Sequence, residues 1–224
     1  MDGVVGGLPA TAAPTPLSFV VNVPAADVGT VLALVGKVGA RISPDDTPDI
    51  EADFEKLSHT AVATGSPAEF YDLTVVGRLP RSYWRDKVET TSAAASLASA
   101  SVVTNVFAGI SAPVQDAIVR VKGSATGLRV TDGGGSWFEY PPNIPAANYL
   151  RFHLSTMRAY VTTTDTWTGG TEVTGDVDFN GPRGQFELTS YFSNPTSRVA
   201  RLTVTTTARS GATIEVRGKA AYLA

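Results

Sequence analysis

The sequence predicts an α+β protein in which an N-terminal mixed, mainly helical segment precedes an antiparallel β-sandwich of jelly-roll type. Three observations carry that expectation. Two helix-start patterns stand in the first half, Thr47-Pro48 and Ser66-Pro67-Ala68-Glu69. Residues 90–115 carry no charge and are dominated by Ala and Ser. Beyond Lys122 the chain turns into short Val/Thr/Phe/Tyr runs separated by Gly, Pro, Asn and Ser, the composition of strands and turns. The expected organisation is an arm over residues 1–16, the mixed segment over 17–122, and the sandwich over 123–224.

Taken in order, residues 1–16 mix Gly6, Gly7, Pro9, Pro14 and Pro16 with Ala and Thr. Such a stretch buries too little apolar area to offset the entropy of ordering, so it reads as a flexible arm. Leu17 to Val23 is rich in β-branched residues, is closed by Pro24, and reads as a strand. In the following ADVGTVLALVGKVG, Val28, Val31, Leu32 and Val35 keep helical spacing while Gly29 and Gly36 weaken a helix, and both readings stand. Thr47, Pro48 and the early acids Asp49, Glu51 and Asp53 fit a capped helix start with charges suited to the positive end of the helix dipole. Ser66 and Glu69 form a capping box. Helices are therefore expected near 48–62 and 67–79.

The uncharged stretch from Thr90 to Gln115 reads as a small-residue helix, since Ala favours helix and small side chains let helices approach closely. Ala93, Ala94, Ala95, Leu97, Val102, Val103 and Phe107 would form either its packing face or a membrane-active surface. The run is too rich in Ser for a membrane span, which wants about 20 mainly apolar residues. In the second half, alternation is clearest where Arg201, Thr203 and Thr205 interleave with Leu202 and Val204, and where Thr213, Glu215 and Arg217 interleave with Ile214 and Val216. Each gives one wet and one dry face.

Hydrophobic residues make up 43% of the chain and charged ones only 17%, so part of the surface is expected to be covered by a partner. Residues 1–110 carry 7 basic and 12 acidic side chains, and residues 111–224 carry 11 basic and 9 acidic. Neither half has the basic footprint of a nucleic-acid binder. There is no cysteine, which excludes disulfides and thiolate metal sites. No secretory leader is read at the N-terminus.

The sharpest motif runs from Asp176 to Glu187. It matches the calcium-loop pattern D-x-[DN]-x-[DN]-G-x5-E, with Asp176, Asp178, Asn180, Pro182 (through its carbonyl) and Glu187 as candidate calcium ligands. Its flanks are strand-like, so the competing reading is a β-hairpin whose Asn180-Gly181 turn sits between acids. Trp137, Tyr140 and Trp167 are candidates for stacking on sugar rings, and core packing is the alternative fate of such aromatics. His59 and His153 lack any accompanying nucleophile motif, and no phosphate-cradling loop is present. The chain is therefore expected not to be an enzyme. A sandwich glycosidase using two acids such as Glu172 and Glu187 is the remaining catalytic reading.

Between Tyr71 and Leu97, the succession Val75-Val76-Gly77-Arg78-Leu79-Pro80, Trp84-Arg85-Asp86-Lys87-Val88 and Ser92-Ala93-Ala94-Ala95-Ser96-Leu97 resembles the region following the shell domain in capsid proteins of small icosahedral RNA viruses related to nodaviruses, tetraviruses and sinaiviruses. The resemblance covers roughly thirty residues, and the basic RNA-binding arm of that group is missing. It implies a virion protein: a capsid or surface-projection module that self-assembles as a homo-oligomer, contacts the host surface, and has a membrane-contacting segment at 90–115. The alternative is a carbohydrate-binding or adhesin β-sandwich, such as a phage tail or cell-surface module meeting a receptor or glycan.

Overall fold

The computed structural model describes residues 14–65, 69–81, 83–181 and 184–223. Most of the expected arm, the capping-box residues Ser66 and Pro67, and Pro182 lie outside the described residues. The chain divides into two compact units, Met1–Lys87 with Leu223–Ala224, and Val88–Tyr222. The boundary read at 122/123 falls inside a strand of the second unit.

The first unit contains β1 (Thr15–Pro24), α1 (Val28–Val35), β2 (Arg41–Ile42), β3 (Ile50–Asp53), β4 (Glu55–Thr64), β5 (Phe70–Leu79) and β6 (Tyr83–Asp86). Its order β1-β5-β4 is antiparallel, with Val20 and Thr60 both opposite Thr74. The open choice over residues 26–39 resolves as helix. Val28, Val31, Leu32 and Val35 line one face of α1 and pack on the core of Val23, Ala52, Phe54, Leu73, Val75 and Leu79. Gly36 ends α1 by donating its N–H to the Leu32 carbonyl at 3.0 Å. Gly77 leaves room on β5 for the Phe54 ring, which a Cβ there would overlap.

The expected helices near 48–62 and 67–79 are strands β3, β4 and β5. Local capping signals are worth about 1 kcal/mol each. Ladder pairing along both sides of β5, with β1 and with β4, outweighs them, and Leu73, Val75 and Leu79 are buried on the inner face. The first half is thus β-rich, with α1 as its α-helix among the described residues.

The second unit comprises β7 (Thr90–Thr91), β8 (Ala95–Ser96), β9 (Ser101–Ala108), β10 (Ile118–Thr126), β11 (Leu128–Asp132), β12 (Trp137–Tyr140), β13 (Tyr149–His153), β14 (Arg158–Thr162), β15 (Thr171–Glu172), β16 (Asp178–Asn180), β17 (Ser190–Asn194), β18 (Ser197–Thr205) and β19 (Ala208–Gly218). One sheet runs β15-β14-β13-β10-β19-β7, with β8 also on β19; the other runs β16-β12-β11-β18-β17, with β9 also on β18. A further strand spans Ala221–Leu223. The two sheets meet through aromatic rings. Phe138 of β12 stacks on Phe152 of β13 at 4.4 Å between centroids, and Phe186 stands edge-on to both. This sandwich-like arrangement realises the alternation read in the sequence: Leu202, Val204, Ile214 and Val216 are buried, while the residues between them face outward.

The Ala/Ser stretch is not a helix. Ala93 and Ala94 lie outside regular structure, Ala95 in β8 pairs Ile214, and Leu97 is buried with its N–H on the Ala212 carbonyl. Val102 and Val103 pair Val204 and Thr203 in β9, and Phe107 is buried opposite Ala200. Without charges, and with β-branched Val102, Val103 and Thr104, the stretch suits a strand laid along β18. Among the described residues no helix is long and apolar enough to cross a membrane. β19 runs unbroken through Arg209–Ala212, and the irregularity of its pairing is a bulge on β10, where Gly123 takes φ 90°.

Candidate functional site

The calcium-like loop is spread over separate environments. Asp176 ends a short 3-10 turn at Thr174–Asp176 and is exposed. Asp178 lies on β16 opposite Glu139, and Asn180 opposite Trp137. The Asn180 side-chain oxygen accepts the Gly181 N–H at 2.8 Å, and Gly184 closes a turn onto the Gly181 carbonyl at 2.9 Å. Glu187 is 2% exposed and accepts from Gln115 Nε2 at 3.0 Å. Among the described residues no group of three or more His, Asp or Glu side chains is gathered for a metal. The hairpin reading fails as well, because β16 pairs with β12 and the chain continues to a bridge between Leu188 and Val114.

The three aromatics do not share a surface. Trp137 and Tyr140 lie an odd number of positions apart on β12, so they face opposite sides of the sheet. Trp137 faces outward with the Arg129 guanidinium 4.0 Å from its ring, and Arg129 also holds Glu139 at 2.9 Å. Tyr140 is buried, and burial followed by the charge of Asp176 pushes its hydroxyl pKa up. Trp167 belongs to the loop between β14 and β15 in the opposite sheet. The acids Glu172 and Glu187 are also held apart in role. Glu172 is exposed with Arg158 at 3.6 Å and the Thr174 hydroxyl at 2.9 Å, whereas Glu187 is buried beside Gln115.

Sequence reading missed the most organised polar cluster, on the outer face of β10, β13, β14 and β19. Ladder register brings Arg120, Arg151, Tyr160 and Glu215 into one row. Arg120 is 6% exposed; its Nε donates to Glu215 Oε1 at 2.7 Å and its Nη1 to Asp165 Oδ1 at 2.6 Å. Its guanidinium lies 4.1 Å from the Trp167 ring and 5.2 Å from that of Tyr149, the cation–π geometry in which a buried Arg is most favourable. Arg217 joins the rim, 5.8 Å from Trp167 and ion-paired with Glu89 at 2.7 Å. The available signal was the alternation of Arg and aromatic residues in YLRFH and RAYVT, but which residues face each other depends on strand order.

A second buried polar group stands at the β11–β12 turn. Asp132, 3% exposed, accepts the N–H of Gly134 at 2.7 Å and that of Thr189 at 3.0 Å, and it also takes the Thr189 hydroxyl. Burial raises its pKa to about 6, against the pull of those donors.

The fold and these sites define a β-rich protein of two units whose second unit is sandwich-like. No protein-family model matches the chain, and no curated protein does. Among solved structures it is similar to the Dit protein (gp 19.1) of phage SPP1, presented as a paradigm of the hub adsorption apparatus in phages infecting Gram-positive hosts. That likeness has 15% identity, covers 98% of this chain and 85% of the other, and reaches a TM-score of 0.56; it is a likeness of fold. It overturns the resemblance to RNA-virus capsid proteins. The residues that carried that resemblance, Tyr71 to Leu97, form β-strands and connections, and the likeness of fold spans the whole chain.

Proposed function

We propose that this chain is a non-enzymatic structural module of a phage tail, assembling with copies of itself in the adsorption apparatus at the tail hub. The observation that carries the proposal is the near-complete coverage of the chain by the fold of the SPP1 Dit protein. The first unit supplies a surface suited to assembly. Val20, Val62, Phe70 and Val76 project from the same outer face of β1, β4 and β5 and are exposed by 62%, 62%, 43% and 37%. β1 and β4, each ten residues long, are the edges of that sheet, and natural proteins rarely leave long apolar edges uncovered.

Solution mass by light scattering tests self-assembly. The full chain is expected to give a discrete multi-subunit mass that persists on dilution. Val20→Asp with Val62→Asp should reduce it to the monomer without lowering the melting temperature. A wild-type chain that is monomeric at every concentration argues against the proposal.

A further inference from the structure

Arg151 is fully buried on β13, and its guanidinium is incompletely used. Nη2 donates to the Gly169 carbonyl oxygen, while Nε and Nη1 have no hydrogen-bond partner among the described residues. An ionised group taken out of water without partners is strongly unfavourable, and arginine does not escape by losing its proton. Its cross-strand neighbour makes matters worse. Arg120 stands directly opposite in register, and like charges in that position repel. Glu215 and Asp165 are already held by Arg120. Two residues along β13, on the same face, His153 has its Nε2 buried without a partner, with the Tyr160 ring edge-on at 5.2 Å.

We propose that Arg151 and His153 form the floor of a phosphate-binding site covered by the loop of residues 163–170. The unsatisfied or exchangeable donors, Nε, Nη1 and Nη2 of Arg151 and Nε2 of His153, belong to side chains two residues apart on one face of β13, and they suit a tetrahedral oxyanion that accepts from several directions. The loop is attached to the sheet by the groups an anion would displace. The Asp165 carboxylate sits on Arg120, Trp167 stacks on Arg120, and the Gly169 carbonyl sits on Arg151. Arg120 Nη1 also reaches the Thr166 carbonyl at 3.5 Å, the Thr162 and Thr164 hydroxyls share a hydrogen bond at 2.8 Å, and the Thr166 hydroxyl donates to the Thr168 carbonyl at 2.9 Å. Gly169 and Gly170 take φ of 74° and 100°, a backbone that other residues resist, and they place this end of the loop against the sheet.

Beside the loop lies a cavity that Gly170, and not Arg151 or His153, lines. It measures about 420 Å³ and is also lined by Thr162, Thr163 and Thr171, among others. Gly170 packs closely on this end of the site: a Cβ built there would stand 2.7 Å from the Val161 carbonyl oxygen and 3.0 Å from Arg151 Nη2. Asp165 acts as an internal competitor, holding the neighbouring Arg120 until a stronger anion arrives. The shared chemistry is a phosphate group, free or carried as a monoester.

The chain has two histidines, which makes the test direct. Burial, and then the charge of Arg151, hold the His153 pKa below the usual imidazole range, whereas His59 is exposed. Ring resonances of the full-length chain are followed by NMR as inorganic phosphate or glycerol 3-phosphate replaces chloride at constant ionic strength. The expected result is a saturable shift and a raised pKa at His153 and none at His59, abolished by Arg151→Gln. Asp165→Asn, at an exposed loop position, should tighten phosphate binding several-fold and keeps the proposal testable if the Arg151 variant does not fold. Saturation by either compound supports the site, the tighter one telling a free ion from an ester. If neither saturates, if both histidines respond alike, or if Asp165→Asn leaves the affinity unchanged, ordered water satisfies these donors and the proposal is overturned.

Discussion

The Asp132 carboxylate accepts the backbone N–H of Thr189 at 3.0 Å across 57 positions of sequence, tying the Gly133–Gly135 turn to the segment that leads into β17. Its folded pKa of about 6 lies above the ordinary 3.8, so the folded state holds this proton more tightly than the unfolded state does. The group therefore gains stability as pH falls from about 7 towards 4 and loses it as pH rises through 6. The full effect is roughly 3 kcal/mol. Urea unfolding of wild type and Asp132→Asn at pH 7.5 and 5 should show the difference shifting in favour of wild type at the lower pH. A difference independent of pH would remove the assignment.

Removing the hydroxyl at Thr189 isolates the donor side of the same pair. Thr189→Val should cost about 1–3 kcal/mol, because Asp132 keeps its burial and loses a donor. In NMR titration the Asp132 pKa should move above 6.

The ring stack between Phe138 and Phe152 is the main aromatic joint between the two sheets of the second unit. Phe152 is fully buried and also meets Phe179 and Phe186. Phe152→Ala should cost about 3–5 kcal/mol in urea unfolding, the range for a truncated core phenylalanine. Phe152→Leu should recover most of it.

In the first unit, buried Glu51 accepts from Arg41 at 2.9 Å and faces Arg85 at 3.8 Å, while Arg85 holds Asp53 at 2.8 Å. Arg85→Ala should cost about 3 kcal/mol by leaving acids short of a buried cation. Arg41 is half exposed, and Arg41→Ala should cost less than about 1 kcal/mol. Thermal melts of the two variants give the ordering directly.

The second half was legible because its strands carry their burial in their alternation. Leu202 and Val204 against Arg201 and Thr203 can be read without knowing any neighbour. The first half was not, because β4 is an edge strand with His59, Ala61 and Ala63 all exposed and so has no hydropathy contrast to read. Local signals such as Thr47-Pro48 then pointed to helices that pairing with β5 excludes. The uncharged run over 90–115 misled for a related reason: Ala favours helix on its own, and pairing with β18 and β19 makes the run strand. Trp167 was singled out as an aromatic for stacking on sugar rings, and it lies against the Arg120 guanidinium instead; Arg120 and Arg151 become neighbours only through the register of β10 on β13. No spacing in the sequence records that register. The calcium pattern was legible as a pattern alone, since its residues go to β16, a turn and a buried position beside Gln115.

The most direct test of the tail-hub assignment is immuno-electron microscopy, using an antibody raised against this chain on phage particles from the strain that carries its gene. The account predicts label confined to the distal end of the tail. Label spread over an icosahedral shell, or tailed particles that carry none, would contradict it.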